Sequence, residues 1–151
     1  MEWVLKKFEE LLPAELYAIL QLRNEVFVVE QNCVFQDADN KDAGSHHLMG
    51  WLDGRLIAYT RLLPPGLAYA CCPSIGRVVT AASARGTGTG KLLMEQSIAA
   101  TEKLYGPVAI RIGAQLYLRH FYASLGFEPS GDTYLEDGIP HIEMTRPGLT
   151  K

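Results

Sequence analysis

Seven residues, Arg85-Gly86-Thr87-Gly88-Thr89-Gly90-Lys91, put glycines at alternate positions between two basic side chains. A β-branched run, Ile75 to Thr80, comes before them. After them Leu92, Leu93, Gln96, Ser97, Ala100 and Leu104 recur at helical spacing. A strand, a glycine loop and a helix start together form a cradle for an anion. Glycine lets the backbone approach a ligand closely, the first helical amides have no partners, and the positive end of the helix dipole faces the loop. The expected ligand is a pyrophosphate or another multiply charged group. The main chain of Gly86, Thr87, Gly88, Thr89 and Gly90 would hold it, and Arg85 and Lys91 would add charge. The plainer alternative is a flexible loop whose glycines serve only its turns.

Two nucleotide-binding patterns fail on spacing. A Walker A loop ending at Gly90-Lys91 needs glycine where Arg85 stands and a hydroxyl where Leu92 stands. The dinucleotide fingerprint places its third glycine at Lys91 or at Leu93, depending on where it starts. A calcium loop over Asp37 and Asp39 also fails, because Lys41 and Asp42 occupy a ligand position and the glycine position. His46, His47, His120 and His141 make no recognised zinc spacing, so no metal site is expected. Cys71 and Cys72 are adjacent, which suits them poorly to pairing with each other. There is no Cys-x-x-Cys, and the three cysteines read as ordinary thiols of a reducing compartment.

A second segment runs Gln115-Leu116-Tyr117-Leu118-Arg119-His120-Phe121-Tyr122-Ala123-Ser124-Leu125-Gly126-Phe127. It is similar to the Asn-x-x-Ala-x-x-Phe-Tyr-x-x-x-Gly-Phe segment of the GNAT family of N-acetyltransferases, with Gln115 and Leu118 replacing Asn and Ala. Arg85-x-x-Gly88-x-Gly90 resembles the same family's acyl-donor loop, and the two segments stand in the family's order. Phe27-Val28-Val29-Glu30-Gln31-Asn32, Gly76-Arg77-Val78 and Asp137-Gly138-Ile139-Pro140-His141-Ile142 narrow the resemblance to an ElaA-type member.

The resemblance implies a mixed α/β (α+β) acyl-CoA N-acyltransferase fold, a strongly twisted sheet flanked by helices whose central strands splay apart. It further implies acetyl-CoA as acetyl donor, lying against Val78, Val79, the 85–91 loop, Gln115 and Tyr122. The acceptor would be a primary amine of a small molecule or a peptide. Tyr122 is then the expected general acid toward the leaving thiolate. For the general base, Glu30, His141 and Glu143 stay open, as does a chain of waters. Imidazole ordinarily titrates near neutrality, and Glu143 shares a strand face with His141. A non-catalytic acyl-CoA-binding module remains the alternative.

The rest of the chain must position these groups. It has 151 residues, 48% hydrophobic and 21% charged, which suits one domain over residues 1–151 with a core of its own. Its net charge of −3 gives no sign of a nucleic-acid partner. No apolar run is long enough for a signal peptide or a membrane span, so a cytoplasmic monomer or homodimer is expected.

An edge strand is read at Trp3–Phe8, and a helix from Pro13 to Phe27 that weakens at Val26, Val28 and Val29. Residues 32–45 read as a solvated acidic loop that borders the site and favours a cationic acceptor. Strands His47–Leu52 and Leu56–Leu63 flank the hairpin turn Asp53-Gly54. Further strands are expected at Ile75–Thr80, Val108–Ile112, Phe127–Glu128 and Ile139–Thr145, and a short helix at Leu116–Leu125.

Overall fold

The computed structural model describes residues 1–148. Seven strands form two antiparallel sheets. The first contains β1 (Glu2–Lys7), β2 (His46–Leu52), β3 (Arg55–Leu63) and β4 (Ser74–Thr80), in that spatial order. The second contains β5 (Ile110–Gln115), β6 (Glu128–Glu136) and β7 (Ile139–Arg146), in the order β5-β7-β6. The turns Asp53-Gly54 and Asp137-Gly138 both take positive φ at their two central residues, the geometry that matches strand twist in a two-residue hairpin.

Helix α1 (Pro13–Arg23) opens with proline at its first position, and Glu15 Oε1 accepts the Leu12 N–H at 2.8 Å. Ile19, Leu22 and Val26 pack with Met49, Ile57, Tyr59 and Val79 on one face of the first sheet. Helix α2 (Thr89–Tyr105) buries Leu93, Met94, Ser97, Ile98 and Thr101. Leu93 packs with Leu48 and Ala58 of the first sheet, while Met94 and Ile98 join Leu62 and Ile75 to Ile110, Ile112 and Met144 of the second. One polar chain crosses this layer. Ser97 Oγ donates to Leu93 O at 2.7 Å, so the Thr60 hydroxyl, 2.7 Å away, donates to Ser97.

Several expectations shift. The α-helix ends at Arg23, and Asn24–Glu30 continues as a π-helical segment, where β-branched valines fit the tighter spiral poorly. The expected Leu116–Leu125 helix is a turn of 3₁₀ followed by α3 (Arg119–Ala123). Strand β5 lies later than expected, and β6 has nine residues instead of two. Pro129, Gly131 and Asp132 hide that strand in the sequence, because the β6–β7 register slips between Pro129 and Thr133 and a bulge takes up the misfit. Cys71 and Cys72 are joined to each other by a disulfide between adjacent positions, where the sequence suggests two separate thiols.

The acidic loop is also not a solvated one. Arg23 is 0% exposed and Arg61 3% exposed. Arg23 Nε lies 2.7 Å from Asp37 Oδ2, and its Nη1 lies 2.8 Å from Asp42 Oδ1. Arg61 grips both oxygens of Asp39, at 2.7 and 2.8 Å, and also reaches Asp42 at 2.9 Å. The aspartates are therefore structural partners of the core guanidiniums. Burial opposes ionisation of Asp39 and Asp42, but the hydrogen bonds and charge of these arginines outweigh it and hold both carboxyls below their usual range.

Such depressed carboxyls add stability above their unfolded values, and that stability is lost as pH falls toward the folded ones. In urea titrations at neutral pH, Asp42→Asn should lower stability by about 3 kcal/mol, because two buried guanidiniums each lose a partner. Between about pH 5 and about pH 2 the variant should lose less stability than the parent chain.

Candidate active site

The 85–91 loop has the geometry of an anion cradle. Gly86 and Gly88 have φ of +76° and +82°, and an added Cβ on either would meet nothing within 4 Å, so the space above the loop is open. Thr87 donates its hydroxyl to Ala84 O at 2.5 Å and accepts from Thr89 at 2.7 Å, which ties the loop to the helix start. The first helical bond of α2 is Leu92 N–H to Gly88 O at 3.2 Å. The amides of Thr89, Gly90 and Lys91 precede it and are the unpartnered donors of the helix end.

Strands β4 and β5 are neighbours without a ladder between them. One main-chain bond, Arg111 N–H to Pro73 O at 3.1 Å, ties them at their starts. Farther along they part, and a cleft of about 790 Å³ opens between Val78, Val79 and Thr80 on one side and Gly113 and Gln115 on the other. On the far edge of β4, Tyr59 pairs with Val79 but Arg61 pairs with Gly76, so Arg77 and Val78 together face one partner residue. Arg77 takes φ of +49°, rare for a residue with a side chain, and donates through Nη2 to Asp37 O at 2.9 Å. The bulge re-aims the backbone at Val78 toward the gap. A shallower depression of about 490 Å³ beside Met1 and the Asp53-Gly54 turn contains none of the motif residues.

Of the expected site residues, Glu30, Val78, Val79, Arg85, Gly90, Gln115, Tyr122 and His141 line the one cleft. Gly86, Thr87, Gly88, Thr89 and Lys91 stand at its end, in the loop and first turn of α2. Tyr122 is 6% exposed and packs edge-on against Phe121 and Phe127. Burial, with a smaller contribution from Tyr117, pushes its phenol well above the usual range. His141 is 7% exposed and pairs with Gln115 across the β5–β7 ladder. Its Nδ1 lies 2.7 Å from Ile139 O. A carbonyl can only accept, so Nδ1 carries the proton, and neutral His141 has its lone pair on Nε2, 3.6 Å from Glu136 Oε2.

Two candidate bases are committed elsewhere. Glu30, at the end of the π-helical segment, forms a two-pronged pair with Arg85 across the cleft mouth, and the Arg85 hydrogen bond lowers its carboxyl below the usual range. Glu143 lies 3.1 Å from Arg111 Nε and does not line the cleft. Their partners are far away in the chain, which is why spacing alone does not exclude them.

Tyr69, Tyr134 and Gly113 are among the cleft residues that the sequence does not single out. Tyr134 and Glu136 are two apart on β6, a period-two signal that the unrecognised strand conceals. Among the described residues, no group of three or more His, Cys, Asp or Glu is placed to hold a metal ion, and no helix is long and apolar enough to cross a membrane.

Residues 18–146 match the profile of an acetyltransferase (GNAT) domain. Protein ElaA of Escherichia coli is 40% identical over 148 residues, 97% of this chain and 96% of that one. Its crystal structure superposes with a TM-score of 0.89, covering 96% of this chain and 98% of that one. An acyl-CoA N-acyltransferase from Pseudomonas aeruginosa is 45% identical, with a TM-score of 0.90 and coverage of 97% and 99%. The profile match and the full-length relatives place the chain in the GNAT acetyltransferase family, as an acyltransferase of the mixed α+β acyl-CoA N-acyltransferase fold.

Proposed function

We propose that residues 1–151 form one N-acetyltransferase domain that moves an acetyl group from acetyl-CoA to a primary amine of a small molecule or a peptide. It would work in the cytoplasm, as a monomer or homodimer. The observation that carries this reading is convergence. The anion loop, the unpaired β4 edge, Tyr122 and His141 all border one cleft. That set fits an acyl donor, with open space over Gly86 and Gly88 for a pyrophosphate and a slot between parted strands for an extended arm. The Pseudomonas aeruginosa relative, an acyl-CoA N-acyltransferase, supports the same donor class.

In this reading the amides of Gly86 to Lys91 hold the diphosphate, and Arg85 and Lys91 add positive charge beside it. Main-chain groups of Val78 and Val79 bond the donor's amides, and a backbone N–H there polarises the thioester carbonyl. Gln115 borders the donor's arm. His141 Nε2 takes a proton from the attacking amine while Ile139 O keeps the ring oriented. The N–C bond forms, the C–S bond breaks, and Tyr122 gives its proton to the departing thiolate. Its raised phenol stays protonated at neutral pH, as a general acid must.

Initial rates of thiol release from acetyl-CoA, with a panel of primary amines, test these roles. Arg85→Ala should raise the donor KM about tenfold through loss of charge-assisted phosphate contacts, with little change in kcat. Tyr122→Phe should lower kcat at least tenfold with donor affinity kept, and an unchanged kcat removes it as the acid. His141→Gln should lower kcat about 100-fold, and a kcat within a factor of about two of the parent's would assign proton removal to water.

A further inference from the structure

Next to His141 the cleft contains a set of groups that the proposed chemistry does not use. The Tyr134 ring stacks on the His141 ring at 5.7 Å between centroids. The Tyr134 and Tyr69 hydroxyls both lie over Gly113 of β5. A Cβ at 113 would overlap the first and stand 3.4 Å from the second. Glycine at this position is therefore what lets two phenols reach the strand backbone, in the cleft between β4 and β5. Neither hydroxyl is hydrogen-bonded among the described residues.

Beyond them, Glu136 and Asp137 line the same cleft where β6 turns into β7. The turn is held firmly, with Asp137 at φ of +53° and its carbonyl accepting the Cys33 thiol at 3.3 Å. Elsewhere in the cleft the carboxylates are neutralised: Glu30 by Arg85, Asp37 by Arg23 and Arg77, Asp39 by Arg61. Among the described residues no Lys or Arg pairs with Glu136 or Asp137. Glu136 has only the buried His141, whose Nε2 stands 3.6 Å away without a hydrogen bond.

A reacting amine must shed its charge before it attacks, so a carboxylate that attracts only that nitrogen loses its hold as the reaction proceeds. Two carboxylates beside the base that no Lys or Arg pairs with gain most from a cation that does not react. We infer that the acceptor is a small amine with a second positive charge. The Tyr69 and Tyr134 hydroxyls and His141 seat its reacting nitrogen, and Glu136 and Asp137 hold its other cation. This deepens the proposed N-acetyl transfer and rests on it.

Three acceptors of matched length separate the possibilities: putrescine, n-butylamine and γ-aminobutyrate, each with acetyl-CoA. The expected order of kcat/KM is putrescine first, by roughly five- to tenfold over n-butylamine, with γ-aminobutyrate slowest. Glu136→Gln and Asp137→Asn should each cut the putrescine to n-butylamine ratio about threefold. Because that ratio is taken within one variant, partial loss of folded protein cancels from it. Tyr134→Phe should lower kcat/KM for both amines and leave their ratio in place.

A parent ratio near one, or a ratio that both carboxamide variants leave unchanged, overturns the dication acceptor. Transfer to none of the three overturns it as well. His141→Gln reports separately on the base: it should slow both amines alike, so an unaffected kcat there overturns the base assignment while the ratio still decides the acceptor class.

Discussion

Two neighbouring strands that do not pair set the terms for the rest of this molecule. Between β4 and β5 a single bond, from Arg111 to Pro73, replaces a ladder. Past that clasp, main-chain groups face a gap. Unpaired backbone donors and acceptors are costly when buried, so the gap is stable only as a solvent-filled or ligand-filled slot. The surrounding structure keeps it open. Helix α2 and the Tyr122–Phe127 segment share one core with strands of both sheets, holding them at a fixed separation from beneath. The Arg77 bulge interrupts the β3–β4 ladder beside Val78, which lines the slot.

The buried ion-pair network is the counterpart of this opening on the other wall. Residues 32–45 have no regular secondary structure before β2 begins at His46, and apolar packing alone would not localise them. Three arginines from α1, β3 and β4 hold the loop through Asp37, Asp39 and Asp42. His47 extends the network: Nε2–H donates to Asp42 O at 2.9 Å, so Nδ1 accepts from Tyr59 at 2.6 Å. Burial lowers the proton affinity of His47 and raises that of Tyr59, so both stay neutral beside the charged groups. A loop that reads as an acidic surface is in this way built into the wall of the cleft.

What could be read from the sequence followed from how local its causes are. Asp53-Gly54 announces its hairpin because the turn's backbone angles demand those residues, and β2 and β3 lie on either side of it. The glycine loop is legible for the same reason. The weakening of the first helix at Val28 and Val29 is visible too, though not the π-helical form it takes. Strand β6 was hidden because its bulge residues oppose local strand propensity and only pairing with β7 reveals it. Sorting the candidate bases needed distant partners. Glu30 meets Arg85 from 55 positions away, and Glu143 meets Arg111 across a ladder. The acidic loop misled because charge composition does not reveal which carboxylates face a guanidinium in the core.

The cleft is gripped differently at its two ends. In the proposed reading the 85–91 loop holds its anion through peptide amides and two glycines, whereas the wall around His141 is made of side chains from β6, β7 and the 64–73 connection. Amides survive most point mutations, but phenols and carboxylates do not. On that reading, descendants of such a chain exchange one acceptor for another by single replacements on β6 without relearning how to hold the donor. Substrate range can drift here while chemistry is inherited intact.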